Sequence, residues 1–517
     1  MAKRRATRLC ALGVPLGAVA LWQLLRSTGV IGYEYLPAPS HIAAAMWDLA
    51  RTGELARDLS HTVGVALLAA VIVLPLGGAA GLAIGLLPAV RDHVLGSVDF
   101  LRTVPAVTLV PVALLTFGPV TATQLMLACY AALWPVVLNT AGGVAAVHPR
   151  QYDVARVLHL PGVAVVGKVV IPAVVPAWLV GARLAVVIAL LVTIVSEMIM
   201  YPVGLGGGLV ESLNALAPER MWAYALTCAG VGYLLNAGLR HLVAQAFPGL
   251  PTGRAGALPA SVQPPVAQPA ATIRGLLPVA ALLVVWQVVG DSDSLSFPPP
   301  ADWLGALRRL YTNGILGPAV IHTLTTYAMG LLAAVVVGGA AGAALGASRG
   351  LDRALTPSID VIAAVPAAAL VPVVVLIFGP DQLSGVVAVA VIVSWPILLN
   401  TVAAMRAVPA VRMEMARSLG LPTPARWTKV VLPSLAPGLM LGVRVASALA
   451  LISTLLVDIF GTGAGIGRVL LESQQRFDAS AAWGLLLIMG IIGYLTSACL
   501  ARAGRLLAEP TGEQAWR

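Results

Sequence analysis

The sequence predicts an all-α, polytopic membrane protein of about 12 transmembrane helices, arranged as two parallel six-helix repeats. Three observations carry this. Of the 517 residues, 59% are hydrophobic and 10% charged, far outside the range of soluble domains. Apolar runs of about twenty residues, the length that crosses a bilayer core, recur along the chain. One set of landmarks also occurs twice at a constant offset of 261 positions.

In chain order, the basic start Met-Ala-Lys-Arg-Arg-Ala-Thr-Arg leads into an apolar run without a small-residue cleavage site, so it reads as a retained first span. The spacing predicts spans near 9–30, 61–88, 97–118, 121–147, 171–199 and 222–246. The second set is predicted near 273–290, 320–347, 357–379, 383–407, 433–460 and 483–507. Leu36-Pro-Ala-Pro39 returns as Phe297-Pro-Pro-Pro300, and His61-Thr62 as His322-Thr323. Pro105, Pro111 and Phe117-Gly-Pro119 return as Pro366, Pro372 and Phe378-Gly-Pro380. Trp134-Pro135 and Leu138-Asn-Thr140 return as Trp395-Pro396 and Leu399-Asn-Thr401. Duplication and fusion of one subunit explains this, with repeats over 1–247 and 272–517 and a Pro/Ala-rich linker over 248–271. An even number of spans per repeat gives both copies the same orientation.

The net charge of +10 is read as Lys and Arg gathered in loops on one side of the membrane, not as a nucleic-acid surface. That asymmetry places both termini and the linker in the cytoplasm. Pro39–Leu59 and Pro300–Ile315 are amphipathic and are expected in the outer interface, with Trp47 and Trp303 toward the apolar side. The four cysteines form neither a metal-ligand spacing nor an obvious disulfide pair. No metal or catalytic cluster is expected.

Two polar, basic stretches interrupt the apolar pattern. Glu414-Met-Ala-Arg-Ser-Leu-Gly420 is followed by Leu-Pro-Thr-Pro and ends in Lys429-Val-Val-Leu-Pro433. A short helix over Met413–Leu419 is expected to stop at Gly420, because glycine accepts the left-handed closing turn. Pro422 and Pro424 then oppose immediate resumption. Asp153-Val-Ala-Arg-Val-Leu-His159, ending in Lys168-Val-Val-Ile-Pro172, is the same stretch 261 residues earlier. Both resemble the Glu-Ala-Ala loop of permease subunits of ATP-binding-cassette (ABC) importers. The second copy departs at Met415 and Val430; the first departs at Asp153, Val154 and His159, where a non-glycine residue meets a steric penalty at positive φ. The wording of spans three and four resembles the nitrate, sulfonate and taurine branch of these permeases.

The resemblance implies a type I importer permease fold with two ABC ATPase subunits (a homodimer) docked on the short helices. It assigns ATPase coupling to Asp153, Ala155, Arg156, His159 and Lys168, and to Glu414, Ala416, Arg417, Gly420 and Lys429. Asp153 and Glu414 are expected to act as helix-start charges. ATP and Mg would be used by the partner, with no cofactor in this chain. An extracytoplasmic substrate-binding protein and a bacterial inner membrane complete the expected setting. Nitrate, sulfonates, taurine, bicarbonate and thiamine-precursor pyrimidines are the solutes of that branch.

In span five, Arg183 and Glu197 lie 14 residues apart, near one face, with Thr193 one turn before Glu197. Arg444, Thr454 and Asp458 repeat the pattern. In similar permeases this span lines the translocation path, and charges within a membrane mark function. The competing reading has the arginines snorkelling to the inner interface while Glu197 and Asp458 cap the outer end. His61 and His322 read as outer-interface or helix-start residues, with a ligand role as the lesser reading. Gly204, Gly206–Gly208, Gly461, Gly463, Gly465 and Gly467 are expected in flexible outer loops that meet a binding protein, gate the path or simply turn.

Gly162–Val169 nearly fits a phosphate loop, but it lacks the magnesium-binding hydroxyl and a preceding strand. An alternative reading is a secondary carrier of the major facilitator type, on the strength of Gly350-Leu-Asp-Arg353. A membrane enzyme is disfavoured because no dense cluster of His, Asp or Glu appears.

Overall fold

Inside a bilayer, every backbone N–H and C=O must be satisfied within the protein, and helices do this segment by segment. The computed structural model describes residues 16–508, apart from 31, 201–202, 248–273, 295, 349, 352–354, 356–358, 360–366 and 462. All regular elements among the described residues are helical. The linker, Asp352, Arg353 and Pro366 lie outside the described residues.

The first half comprises α1 (16–27), α2 (Pro39–Arg51), α3 (Glu54–Leu86), α4 (Pro88–Leu101), α5 (Ala106–Phe117) and α6 (Thr121–Ala145). It continues with α7 (Pro149–Val157), α8 (Gly162–Val165), a π-helical turn (Val166–Val170), α9 (Ile171–Met200), α10 (Leu205–Asn214) and α11 (Pro218–Ala246). The second half repeats the order: α12 (Leu277–Val289), α13 (Pro300–Thr312), α14 (Leu316–Ala347), α15 (Ala367–Phe378) and α16 (Gln382–Ala407). Then follow α17 (Ala410–Ser418), α18 (Thr423–Arg426), a second π turn (Trp427–Val431), α19 (Leu432–Phe460), α20 (Ile466–Gln475) and α21 (Ala479–Ala508).

Seven helices among the described residues are long and apolar enough to cross a membrane, or eight if α4 and α5 form one span. Of the remaining members of the expected dozen, the described parts of α1, α12 and α15 fall short of a span and α11 is less apolar. Span three is not the single helix expected over 97–118. It breaks at residues 102–105 and the two parts are bent by 85°. Pro105 supplies the reason, since it disfavours helical geometry at Val104 and caps α5 in an extended conformation.

Each half is built on a three-helix core, α3–α6–α9 and α14–α16–α19. Glycines four residues apart set the closest approach. A Cβ on Gly77, Gly81 or Gly85 would lie 2.6–2.9 Å from Val136, Thr140 or Val144 of α6. Gly338, Gly342 and Gly346 meet α16 in the same way. Small residues at this spacing let membrane helices pack backbone to backbone, where dispersion rather than water exclusion drives association. Trp134-Pro135 and Leu138-Asn-Thr140 belong to this packing. Asn139 Nδ2 donates to the Pro135 carbonyl at 2.8 Å, and Asn400 does the same to Pro396. Gly181 and Gly442 press against those segments.

The third spans sit at the seam between the halves and pack on both. α5 packs on α19, α20 and α21 of the second half, and α15 packs on α9, α10 and α11 of the first. At the bend, a Cβ on Gly493 would come within 2.5 Å of the Thr103 carbonyl, and Phe100 meets Tyr494 at 6.2 Å between ring centroids. α12 packs on α4, where Ser97 Oγ donates to the Gly275 carbonyl at 2.6 Å. Tyr33 Oη also crosses, donating to the Ile377 carbonyl. The two amphipathic helices differ: Trp47 is exposed, whereas Trp303 is buried in a cluster with Trp286 and Trp483.

Candidate functional site

Both short polar helices form, and both end alike. In α7 the Leu160 N–H reaches the Ala155 carbonyl and the His159 N–H reaches that of Arg156. In α17, Leu421 and Gly420 bond to Ala416 and Arg417. This paired pattern is a Schellman turn, and its left-handed residue is Gly420 (φ +65°) in one copy and His159 (φ +49°) in the other. The helix expected over Met413–Leu419 runs instead from Ala410 to Ser418. Helix resumes at Thr423, because Pro424 falls in the first turn, where a missing N–H is harmless. Asp153 and Glu414 sit mid-helix rather than at the start, and neither first turn holds an acid.

Ala155 and Ala416 are 2% exposed and seat each helix. Asp153, Arg156, His159 and Lys168 are exposed, as are Glu414, Arg417, Gly420 and Lys429. The Asp153–Arg156 ion pair (3.2 Å) is too solvated to fix the helix strongly. Apolar side chains share the exposed surface: Val154, Val157 and Leu158 in one copy, Val411, Met415 and Leu419 in the other. Spacings of three and four place them on one face of each helix. Each helix touches the π turn that leads directly into α9 or α19. Val170 and Val431 lock those turns into the core. Each π turn continues without a break into its long helix.

At the opposite ends of α9 and α19, Glu197 and Asp458 are fully buried. The Thr62 hydroxyl donates to Glu197 (2.9 Å) and accepts the Leu205 N–H (2.9 Å), while the Gly206 N–H donates to Glu197 Oε2 (3.0 Å). Thr323, Ile466 and Gly467 repeat this around Asp458 at 2.7, 2.8 and 3.3 Å. Each carboxylate thus caps the first turn of α10 or α20 and satisfies N–H groups that a helix start leaves open. Gly206–Gly208 and Gly467 belong to these helices and not to flexible loops. Gly206 and Gly208 are glycines for closeness: a Cβ on Gly206 would lie 2.1 Å from the Ile194 carbonyl, and one on Gly208 would lie 2.3 Å from the Tyr224 ring.

The first half adds polar bonds that the second lacks. Asp58 accepts from the Gly204 N–H (3.1 Å) and Tyr224 Oη (2.9 Å), and Arg220 pairs with Glu54 at 2.6 Å. The matching positions hold Ala319, Leu485, Ala481 and Ile315. His61 Nε2 bonds Gln124 at 2.9 Å, and His322 Nε2 stands 3.9 Å from Asp458. Arg183 and Arg444 are half-buried, with Arg183 Nε donating to Asn236 at 2.9 Å. Thr193 and Thr454 are fully buried, and Thr454 bonds back to the Ala450 carbonyl. Sequence reasoning did not find Thr62, Asp58 or Tyr224 as partners, because they lie far along the chain from what they hold.

The profile of the binding-protein-dependent transport system inner membrane component family matches twice, over residues 73–246 and 330–509. The chain belongs to this family. Among its relatives, a permease assigned to aliphatic sulfonates transport (SsuC) in Bacillus subtilis is 26% identical over 240 residues, covering 46% of this chain and 87% of its own. The nitrate import permease NrtB of a Synechocystis species is 27% identical, covering 44% and 86%. The bicarbonate transport system permease CmpB from the same genus is 25% identical, again covering 44% and 86%. Each relative aligns over nearly its whole length but under half of this chain. The permease is therefore a tandem of two family units, and the carrier alternative falls away.

Proposed function

We propose that this permease supplies both transmembrane halves of an ATP-driven importer for a small polar solute. The supporting observation is the pair of exposed helices 261 residues apart, each with an apolar stripe outward, a buried alanine inward and a contact on the π turn that opens a span. Two ATPase subunits, carrying ATP and Mg, dock at Asp153–Lys168 and Glu414–Lys429 on the cytoplasmic side, where both termini also lie. An extracytoplasmic binding protein delivers the solute to the other side. The named relatives are permeases for aliphatic sulfonates, nitrate and bicarbonate, and this chain takes a solute of that kind.

The path follows α9 and α19, with Arg183 and Arg444 beside it. Glu197 and Asp458 act from behind, keeping α10 and α20 seated over its outer mouth, with Thr193 and Thr454 about one turn before them in the same helices. Docking is tested by co-purification with the ATPase. Val154→Asp together with Met415→Asp places charge on both apolar stripes and is expected to abolish ATPase recovery while membrane insertion persists. Undiminished recovery, or solute movement by the chain alone without nucleotide, overturns the proposal.

A further inference from the structure

Two departures from the repeat fall on one place. Arg183 and Arg444 are matched arginines near the middle of α9 and α19. Arg183 Nε donates to Asn236 Oδ1 at 2.9 Å, whereas the position matching Asn236 in the second half holds Ser497. Arg444 makes no hydrogen bond or ion pair with the described residues. The second departure is Arg102, whose matching position holds Ala363.

The fold brings Arg102 and Arg444 together across the seam. A Cβ on Gly493 would lie 2.5 Å from the Thr103 carbonyl and 3.4 Å from Leu451. Leu451 stands two turns beyond Arg444 on α19, so one face of that helix runs beside the α4–α5 bend that carries Arg102. The charge of Arg102 and, less strongly, that of Asp99 act on Arg444. Asp99 is already engaged, because Arg102 Nε donates to its Oδ1 at 2.8 Å. Two guanidinium groups thus stand beside one carboxylate, which leaves a positive charge in excess. In the first half the charge that acts on Arg183 is Arg240, from its own half.

Such a charge needs a reason at this depth. The 12 residues of α5, about 18 Å of helix, lie between Arg102 and the outer end of that span. The Arg102 and Asp99 side chains are 24% and 31% exposed. Charges left open inside a membrane line aqueous paths and meet what passes along them. The planar guanidinium fork matches the oxygens of an oxyanion.

We infer that Arg102 and Arg444 form a single oxyanion site across the seam, one per molecule, that takes the nitrate, sulfonate or bicarbonate oxygens of the solute during passage. This inference rests on the importer reading above.

The test measures ATP-driven uptake of nitrate, methanesulfonate and bicarbonate by vesicles holding the complete importer, with ATP hydrolysis recorded in parallel. Arg102→Gln and Arg444→Gln are each expected to lower the solute moved per ATP by about tenfold while hydrolysis persists. Ser497→Asn removes no charge and offers Arg444 the kind of partner that Arg183 has, so it should lower that ratio as well. Arg444→Lys, charged but without the fork, should fall between wild type and Arg444→Gln. A ratio unchanged in Arg102→Gln or in Arg444→Gln overturns the inference alone. Uptake and hydrolysis that fall together in all four variants mean that these residues only hold the fold, and overturn it too. A wild-type complex that moves none of the three anions with ATP overturns the reading of the solute and this inference with it.

Discussion

His159 and Gly420 hold the same closing turn at unequal cost. A side chain in left-handed geometry is disfavoured by about 1–2 kcal/mol, and glycine avoids the penalty. His159→Gly is expected to stabilise the end of α7 by about 1 kcal/mol. Amide exchange in its last turn should slow by about fivefold, and unchanged exchange would contradict the turn described here. The glycines beside the buried carboxylates leave less room. A Cβ on Gly204 would fall 2.2 Å from the Glu197 carboxyl carbon, and one on Gly465 would fall 2.3 Å from that of Asp458. Both backbones are also left-handed, at φ +115° and +91°. Either alanine substitution must displace the carboxylate from the helix start it caps. Losing such a buried hydrogen bond costs about 1–3 kcal/mol. Gly420→Ala, with open space around it, should lose only the backbone penalty. Thermal melts of the three variants rank these losses.

At the scale of elements, the glycine stripe of α3 separates close packing from mere helix content. Gly81→Leu is expected to prevent α3 from seating on α6, giving aggregated or unfolded protein in size-exclusion chromatography. Gly64→Ala on the same helix, with nothing near its Cβ position, should elute as wild type. This distinction was not legible in the sequence, where glycine signals turning, flexibility and close approach alike. The residues 206–208 show the consequence: read as a flexible loop, they form the tight first turn of α10. Prolines were legible as interruptions, but Pro105 did not disclose an 85° bend, since a proline marks a break and not its angle. The short helices were legible because their signals are local: a polar stretch between apolar blocks, repeated in register. The carboxylate caps were half legible. A capping role stood among the open readings, yet Thr62 lies 135 residues from Glu197 and nothing nearby in the chain names it.

For the whole molecule, the third spans at the seam matter more than the peptide that joins the halves. α5 and α15 each bury part of their surface against the opposite half, and α12 packs on α4. A half alone would leave these faces without their protein partners, and membrane helices gain association from shape fit rather than from escape out of water. Separate chains of residues 1–247 and 272–517 should therefore co-purify when expressed together, and neither should support ATPase recovery alone. The seam has a point where the claim can be broken. Gly493 lies against the Thr103 carbonyl at the bend between α4 and α5, too close for any side chain. Gly493→Leu acts within α21, a span that folds in its own half, but it blocks the approach of the other half. With the linker cut, this variant should abolish co-purification. With the linker intact, tethering at high effective concentration should rescue part of the assembly. If the split halves carrying Gly493→Leu still co-purify as wild type does, the seat of the α4–α5 bend on α21 does not hold the two repeats together.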